Sequence, residues 1–269
     1  MLELPVENKA EGRNRADIGQ LRQELRVLER AGGQAWPAYP LGLPALDRTL
    51  GGRLATGCLH EVIGAAGDGA ATGFVAALAA GVAGGQGAIL WCLPRPDLYG
   101  PGLAAAGLDP ARLILATTDR AADGLWAMEE GARSGVLAAV VGEVDRLSLT
   151  AARRLQLASE TGGVTAFLLR TGVPADGTAA VAATRWRITS VPGGVPGGVP
   201  GGVPGGVPGG GSQPWLDRPC WQVELLRCRG GRPGIWTLSW QEGAWRHAAG
   251  DLAMAAPVRD GPAAAQAGA

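Results

Sequence analysis

The chain has 269 residues, 46% of them apolar, which is enough for a sizeable core in one large domain or two small ones. Its 24 basic and 24 acidic residues cancel, which excludes a protein drawn to nucleic acid or to an acidic membrane by its overall field. The sequence shows neither a basic-then-apolar leader nor an apolar run near the ~20 residues that cross a bilayer, so we expect a cytoplasmic protein with no membrane partner.

The four cysteines are too scattered for the C-x-x-C spacing of metal or redox sites. They are Cys58, Cys92, Cys220 and Cys228. Two of them fall in predicted buried strands, so we expect reduced core residues and no metal site.

Residues 1–35 are predicted to form a polar tail followed by an amphipathic helix. Asp17 suits the N-cap, and the apolar residues after it recur at helical spacing on one face. These residues are Ile18, Leu21, Leu25 and Leu28. Two interpretations stay open: the helix packs on its own core, or it docks on a neighbouring subunit or partner.

The chain is organised around a strand–loop–helix unit that ends near residue 72. Residues 58–63 are strand-forming, and Gly64 to Gly69 have the G-x-x-x-x-G spacing of a phosphate-binding P-loop. An Ala-rich helix is predicted over residues 71–82. Such a loop directs backbone N–H groups at a phosphate from a helix N-terminus.

The side chains that give a P-loop its chemistry are missing here. The Lys and the Ser or Thr that should follow the last glycine are Ala70 and Ala71, and Asp68 adds a negative charge where phosphates would lie. Lys9 is the only lysine of the chain, so no lysine of the folded region replaces the lost one. Thr72 is one residue late for the Mg²⁺ position.

We therefore expect a vestigial cofactor site kept for strand–helix packing, with no cofactor bound. Weak nucleotide binding and, less readily, ATP hydrolysis stay open as alternatives. The residues of this vestigial site are Gly64, Gly67, Gly69 and Thr72.

Residues 41–54 read L-G-L-P-A-L-D-R-T-L-G-G-R-L, and this string before a short strand and a P-loop resembles the entry of RecA-family ATPases. The resemblance implies an α/β fold, with a RecA-like core over residues 36–190 and a mostly parallel central sheet. His60, in the strand itself, is interpreted as a structural residue.

The second predicted strand, residues 88–92, ends without the acidic residue that polarises the attacking water in RecA-like ATPases. Leu93, Pro94 and Arg95 follow it, and Asp97 comes later. The general base is absent from its expected place, so we predict no catalytic residue.

After a short helix, a third strand is predicted over residues 112–116. Asp123 is predicted to cap a helix that runs to about Ser134. Trp126, in that helix, is interpreted as a core residue.

The fourth predicted strand, residues 136–141, is a continuous apolar run, which is typical of a central parallel strand. A Walker-B motif would end it with an Asp that holds Mg²⁺ through water, but Gly142 stands there. Glu143 comes one position late, and because strand side chains alternate we expect it on the wrong face. The missing hydroxyl at Ala71 and the missing carboxylate at Gly142 are consistent with each other, since a site that binds no Mg²⁺ needs neither ligand.

A helix over residues 149–160, capped by Ser148 or Thr150, leads to a fifth strand over residues 164–169. Arg170 and Thr171 then lie at the carboxyl end of this strand. Open α/β sheets bind ligands there, and the resemblance implies that DNA-facing loops begin there.

A sixth strand is predicted over residues 184–189. Alternation places Arg185 and Arg187 on one face and Trp186 and Ile188 on the other.

Residues 191–210 are five repeats of Val-Pro-Gly-Gly, whose Pro-Gly pair suits a type II turn. No unit has an apolar face to stack, so this is not a solenoid. We interpret residues 191–214 as a disordered insertion with no function of its own.

Residues 215–247 are predicted to form an antiparallel β-hairpin that completes the core, and residues 248–269 a disordered tail. A small basic, aromatic-flanked patch at the hairpin would contact single-stranded DNA or a partner. It consists of Arg227, Arg229, Arg232 and Trp236. A solvated hairpin tip without such contacts is the open alternative.

Three strings resemble the ImuA family of bacterial damage-inducible mutagenesis cassettes. They are L-H-E-V at 59–62, L-Y-G-P-G-L-A-A-A-G-L-D-P-A-R-L at 98–113 and W-Q-V-E-L-L-R-C-R-G-G-R-P-G-I-W at 221–236. The resemblance implies an SOS-response protein that supports translesion synthesis with the Y-family-like protein ImuB and an error-prone C-family polymerase. Direct contact with RecA is also implied.

The sequence leaves three functions open. The leading hypothesis is a non-catalytic adaptor, not an enzyme, that acts through protein surfaces. The second is an unconventional DNA-stimulated ATPase in which an Arg replaces the missing Lys. The third is a SulA-like cell-division inhibitor, since ImuA-like chains are grouped with SulA.

Overall fold

The computed structural model describes residues 38–145, 147–172, 181–191, 220–241 and 243–247. Strands and helices alternate in the first part of this chain, and the residues described from 184 onward form strands and their connections. The elements are α1 (Pro44–Thr49), β1 (Leu59–Gly64), α2 (Ala70–Ala83), β2 (Ile89–Leu93), α3 (Gly100–Ala105), a 3₁₀ turn (Pro110–Arg112), β3 (Leu113–Thr117), α4 (Ala121–Arg133), β4 (Ala139–Glu143), α5 (Leu149–Gly162), β5 (Thr165–Thr171), β6 (Thr184–Ser190), β7 (Cys220–Cys228), β8 (Gly234–Gln241) and β9 (Ala244–His247).

The described strands form one sheet in the order β3-β2-β4-β5-β1-β6-β7-β8-β9. The first six in that order pair in parallel, and β6 to β9 pair antiparallel. The predicted α/β class, the mostly parallel sheet and the antiparallel C-terminal hairpin are confirmed. The predicted N-terminal helix, the bulk of the Val-Pro-Gly-Gly insertion and the C-terminal tail lie outside the described residues.

Two apolar clusters cover the two faces of the parallel half. The larger cluster lies on the α2 face and includes Phe74, Leu78, Trp91, Trp186 and Trp221. The smaller cluster lies on the face covered by α4 and α5 and includes Leu59, Met128, Val140, Leu155 and Leu168. Because β4 and β5 are buried on both faces, they read as nearly continuous apolar runs, whereas β1, equally buried, carries His60 and Glu61.

Helix α2 is buried on almost every side, which explains why alanine dominates it. Phe74 on its sheet-facing side lies 5.1 to 6.3 Å, between ring centroids, from the rings of Trp186, Trp221 and Trp245. A Cβ at Gly73 would lie 3.1 Å from the Trp221 ring. The aromatic antiparallel strands therefore continue the core beyond the parallel sheet and pack against the helix that follows the loop.

Two predictions about α4 are wrong. Arg120, and not Asp123, is the N-cap, so Asp123 lies in the first turn of the helix. Trp126 is 63% exposed, because the buried positions of this helix are Gly124, Met128, Glu129 and Ala132, and the tryptophan lies outside that stripe.

The fourth strand also begins later than the apolar run predicts. Val136 is 79% exposed, and the strand starts at Ala139. Gly135, with φ of 70°, is in the turn that leaves α4, so the first apolar residues of the run belong to the connection. The cap of α5 is as predicted, since the Ser148 hydroxyl accepts from the Ala151 N–H.

Among the helices of the described part, none is both long enough and apolar enough to cross a bilayer.

Candidate functional site

The loop between β1 and α2 has the backbone of a tight strand-to-helix connection. Gly67 has φ of 77°, the left-handed region that favours glycine, and Gly69 is the N-cap of α2. A Cβ at Gly64 would lie 2.5 Å from the Cβ of Ala71. Glycine is therefore needed at 64 for the close packing of strand on helix, and at 67 for the turn.

Asp68 is bound within the protein on both of its carboxylate oxygens. Oδ1 accepts from the Ala70 N–H at 2.9 Å and from the Ser190 hydroxyl, and Oδ2 accepts from the Ser190 N–H at 2.9 Å. Ser190 ends β6, far away in the sequence. No local sequence pattern predicts this partner.

The Asp68 carboxylate thus takes a place that a P-loop offers to phosphate. Its bond to the Ala70 N–H sets a negative charge on the N-terminus of α2, where the helix dipole favours anions. Burial raises the pKa of Asp68, but the hydrogen bonds from Ser190 and Ala70 outweigh it, so the pKa is lowered overall. Asp68 is held as an anion, and a phosphate would meet like charge.

The positions that should carry the Lys and the hydroxyl point into the protein. Ala70 and Ala71 are 4% and 1% exposed, and both belong to the larger cluster. Thr72 is half-buried in the first turn of α2. Of the predicted vestigial site, Gly64, Gly67 and Gly69 shape the loop, and Thr72 follows it.

Glu143 does not lie on the face that the one-residue slip predicts. Val141 belongs to the larger cluster, so alternation puts Glu143 on the α2 face as well. Its Oε1 accepts from the Trp91 Nε1–H at 2.9 Å, and Trp91 packs in the same cluster. A Cβ at Gly142 would lie 2.0 Å from the Met128 sulfur, so position 142 faces α4 and has no room for a side chain.

Glu143 therefore is an acidic group near the loop that sequence reasoning set aside. It pairs with Leu169, which pairs with Val62, so about two strand spacings, or ~10 Å, separate the Cα atoms of Glu143 and Val62. Burial, followed by the charges of Asp97 and Asp145, raises the pKa of Glu143, against the Trp91 hydrogen bond and the Arg95 charge. Its carboxyl is less acidic than a free one.

Arg170 lies at the carboxyl end of the fifth strand, as predicted, but its side chain is buried within the protein. It is 3% exposed, and its Nη1 donates to the Glu61 Oε1 at 2.9 Å. Arg185 Nε lies 3.2 Å from Glu61 Oε2, so one buried carboxylate from β1 holds guanidinium groups from β5 and β6. Arg170 also donates from Nε to the Asp145 carbonyl at 3.2 Å, which ties the connection after β4 to the same triad.

His60 is fully buried and bonded on both ring nitrogens, as expected of a structural residue. Nε2 lies 2.8 Å from the Ala55 carbonyl and Nδ1 lies 2.7 Å from the Thr184 hydroxyl. Burial lowers the pKa of His60 to about 4, against the hydrogen bond to Ala55, which raises it. The imidazole is therefore neutral at physiological pH, with Nε2 as the donor to the carbonyl.

The predicted basic patch is dispersed. Arg227 and Arg229 donate to the carbonyls of Ala182 and Val181, both at 3.0 Å, so these two guanidinium groups brace the chain that enters β6. Arg232 is exposed at the turn, whereas Trp236 is half-buried against the larger cluster. Contact of these residues with DNA or a partner stays a prediction.

None of the four cysteines, all of which the structure describes, is in a disulfide, and Cys58, Cys92 and Cys220 are buried. Among the residues that the structure describes, no three His, Cys, Asp or Glu side chains group as metal ligands.

Comparison with known proteins gives no match to a family model. Two curated relatives, each called protein ImuA, come from Caulobacter vibrioides strains NA1000 / CB15N and ATCC 19089 / CIP 103742 / CB 15. Each is 37% identical over 220 residues, which cover 77% of this chain and 84% of the relative. The similarity thus extends over most of both proteins, and the chain belongs to the ImuA family.

Proposed function

We propose that this chain is a non-catalytic adaptor with a RecA-like core and a degenerate P-loop, and that it acts in DNA-damage-induced mutagenesis. Its membership of the ImuA family supports a role in the cassette that such proteins share with ImuB. Its partners in this proposal are an ImuB-like protein and an error-prone C-family polymerase, with RecA as a further contact. Protein surfaces, and not nucleotide turnover, carry the function.

The observation that carries the proposal is the Asp68 carboxylate at the N-terminus of α2. A triphosphate would have to displace an anion that three hydrogen bonds hold. The described residues include no Lys that could offset that repulsion, and Ala70 is buried at the position where the Lys belongs. Binding of ATP would therefore be opposed by charge and unsupported by a cation.

The test is nucleotide binding and phosphate release by the full chain, with and without Mg²⁺ and single-stranded DNA. We expect no saturable ATP binding up to millimolar nucleotide, no phosphate release, and co-purification with the ImuB-like protein of the same cassette. Where a variant is compared with the unchanged chain, Glu224→Gln is the control, because the Arg187 side chain that pairs with Glu224 is 53% exposed. Stoichiometric ATP·Mg²⁺ binding, or failure to retain the ImuB-like protein, would contradict the proposal.

One observation favours a second function, an unconventional DNA-stimulated ATPase. Glu143 lies on the α2 face with a raised pKa, which is the property of a general base. If this function holds, purified protein releases phosphate, and Glu143→Gln abolishes the release while Glu224→Gln does not. Equal rates in the two variants would assign the activity to a contaminant.

A further inference from the structure

The two edges of the described sheet differ in how they are protected. The outer strand β9 carries Arg246 and His247, and charged residues discourage a further strand from pairing. The other outer strand, β3, reads Leu-Ile-Leu-Ala-Thr, with neither a charge nor a proline. Ile114 and Leu115 are 50% and 49% exposed, on opposite faces because neighbouring strand residues alternate.

The outward polar groups of β3 follow from its pairing with β2. The Thr118 N–H donates to the Leu93 carbonyl at 3.2 Å, so even-numbered residues turn their main-chain groups to β2 and odd-numbered residues turn theirs outward. The Leu113 N–H already donates to the Pro110 carbonyl. The groups left outward are the N–H and C=O of Leu115 and of Thr117, and the C=O of Leu113. Within the described chain, no other main-chain bond takes these groups.

These groups are self-complementary under a two-fold rotation through Leu115. The rotation sets Leu115 opposite Leu115 of the second copy and Leu113 opposite Thr117. Each outward N–H then meets an outward C=O, which gives about four hydrogen bonds in the spacing of an antiparallel ladder.

The side chains fit the same operation. Ile114 meets Ala116 on one face, and the two Leu115 side chains meet on the other. The rotation places no charged side chain opposite the same side chain of the second copy. Such contact between like charges is the usual cost of a two-fold strand pair.

We propose that β3 is a homodimerisation edge, at which a second copy of this chain pairs antiparallel and extends the sheet through the two-fold axis. The contact is only five residues long, against about 20–30 residues a side in a standard interface, so we expect a weak dimer that dissociates on dilution. This inference is independent of the proposed adaptor function.

The test is the mass of the full chain in solution by light scattering, from about 1 to 100 μM, a range that brackets a micromolar dissociation constant. The variants are Leu115→Lys and Leu115→Glu, each of which places like charges opposite each other on the axis. Leu157→Lys is the control, since Leu157 is 63% exposed on α5, which lies against β5 and β1. Circular dichroism confirms that each variant folds.

We expect dimers in the unchanged chain and in Leu157→Lys, and monomers in each Leu115 variant alone. An equal mixture of Leu115→Lys and Leu115→Glu restores the dimer, because opposite charges then face each other across the axis. A monomer at all concentrations, a dimer that survives Leu115→Lys, or a mixture that stays monomeric would each overturn the proposal. The last result would assign the edge to another protein or to another segment of this chain.

If the charged variants do not fold, Leu115→Cys provides the second measurement. The Cα atoms of a hydrogen-bonded antiparallel pair are ~5.5 Å apart, within the reach of a disulfide. Under oxidation we expect a covalent dimer of Leu115→Cys and none of Leu157→Cys. Absence of the Leu115→Cys dimer would overturn the proposal.

Discussion

Strand β1 and the loop that follows it are neighbours in sequence, yet they hold their polar residues in opposite ways. In β1, Glu61 and His60 are buried; Glu61 pairs with the guanidinium groups of Arg170 and Arg185, and His60 bonds the Thr184 hydroxyl and the Ala55 carbonyl. In the loop, Asp68 lies near the surface and is satisfied by main-chain and hydroxyl donors that carry no charge. The frame beneath the loop is thus fixed by ion pairs and buried bonds, whereas the loop itself holds only one internal anion.

The largest expected effect comes from the strand. Glu61→Gln removes the buried carboxylate charge that faces the guanidinium groups of the buried Arg170 and the partly buried Arg185, which costs ~3–5 kcal/mol of unfolding free energy. Urea unfolding at neutral pH measures it. Because β5 and β6 are tied to β1 through this carboxylate, we expect the whole transition to shift to lower denaturant.

Glu224→Gln is the matched control for that change. Glu224 pairs with Arg187 at 2.7 Å, but the Arg187 side chain is 53% exposed, so its loss costs at most ~1 kcal/mol. Similar costs for the two variants would show that burial does not distinguish the two ion pairs, and the contrast between strand and loop would fail.

The second effect is a pH dependence that originates at His60. Because the pKa of His60 is lowered to about 4, the unfolded chain takes up a proton at higher pH than the folded one. Stability is then lost as pH falls from about 6.5, the unperturbed value, to about 4, by ~3 kcal/mol in total. Urea unfolding across this window measures the slope.

His60→Gln provides the comparison for that slope. The amide keeps a donor and an acceptor but does not titrate, so the variant should lose stability at neutral pH and show a flatter profile between pH 6.5 and 4. An unchanged slope in His60→Gln would place the titration on another group.

The smallest effect comes from the loop. Asp68→Asn keeps the shape but weakens the bonds to Ala70 and Ser190, and we expect a loss of ~1 kcal/mol at neutral pH. Since the pKa of Asp68 is lowered, its contribution is complete above the ordinary pKa and disappears as pH falls through the lowered one. The stability of Asp68→Asn should therefore not depend on the titration of this carboxylate. A loss of stability as large as that of Glu61→Gln would contradict the difference between the loop and strand β1.

Those features of the sheet and the loop that depend on a local sequence pattern could be predicted from the sequence. The glycine spacing of residues 64–69, the Ala-rich helix and the alternation of Trp186 and Ile188 all reflect one short segment at a time. The confirmed sheet class follows from such patterns, because parallel strands buried on both faces are continuous apolar runs.

What the sequence could not predict depends on residues far apart in the chain. Asp68 and Ser190 are 122 positions apart, and Glu61 and Arg170 are 109 apart, so no window of sequence contains either pair. The predicted face of Glu143 is wrong for a related reason. Gly142 packs against Met128 of α4, and this contact, not the position of a missing Asp, decides that Glu143 turns to the side of the loop.

The register between β6 and β7 has a consequence for how the gene can vary. Ser190 pairs with Trp221, and the Val191 N–H donates to the Cys220 carbonyl at 3.0 Å, so the ladder closes across the connection that contains the Val-Pro-Gly-Gly repeats. For a flexible connection, each doubling of length costs only roughly 0.6 kcal/mol of closure entropy, so we expect the ladder to tolerate repeat units gained or lost by replication slippage. Related genes should therefore differ freely in repeat number while the residues on either side keep their pairing.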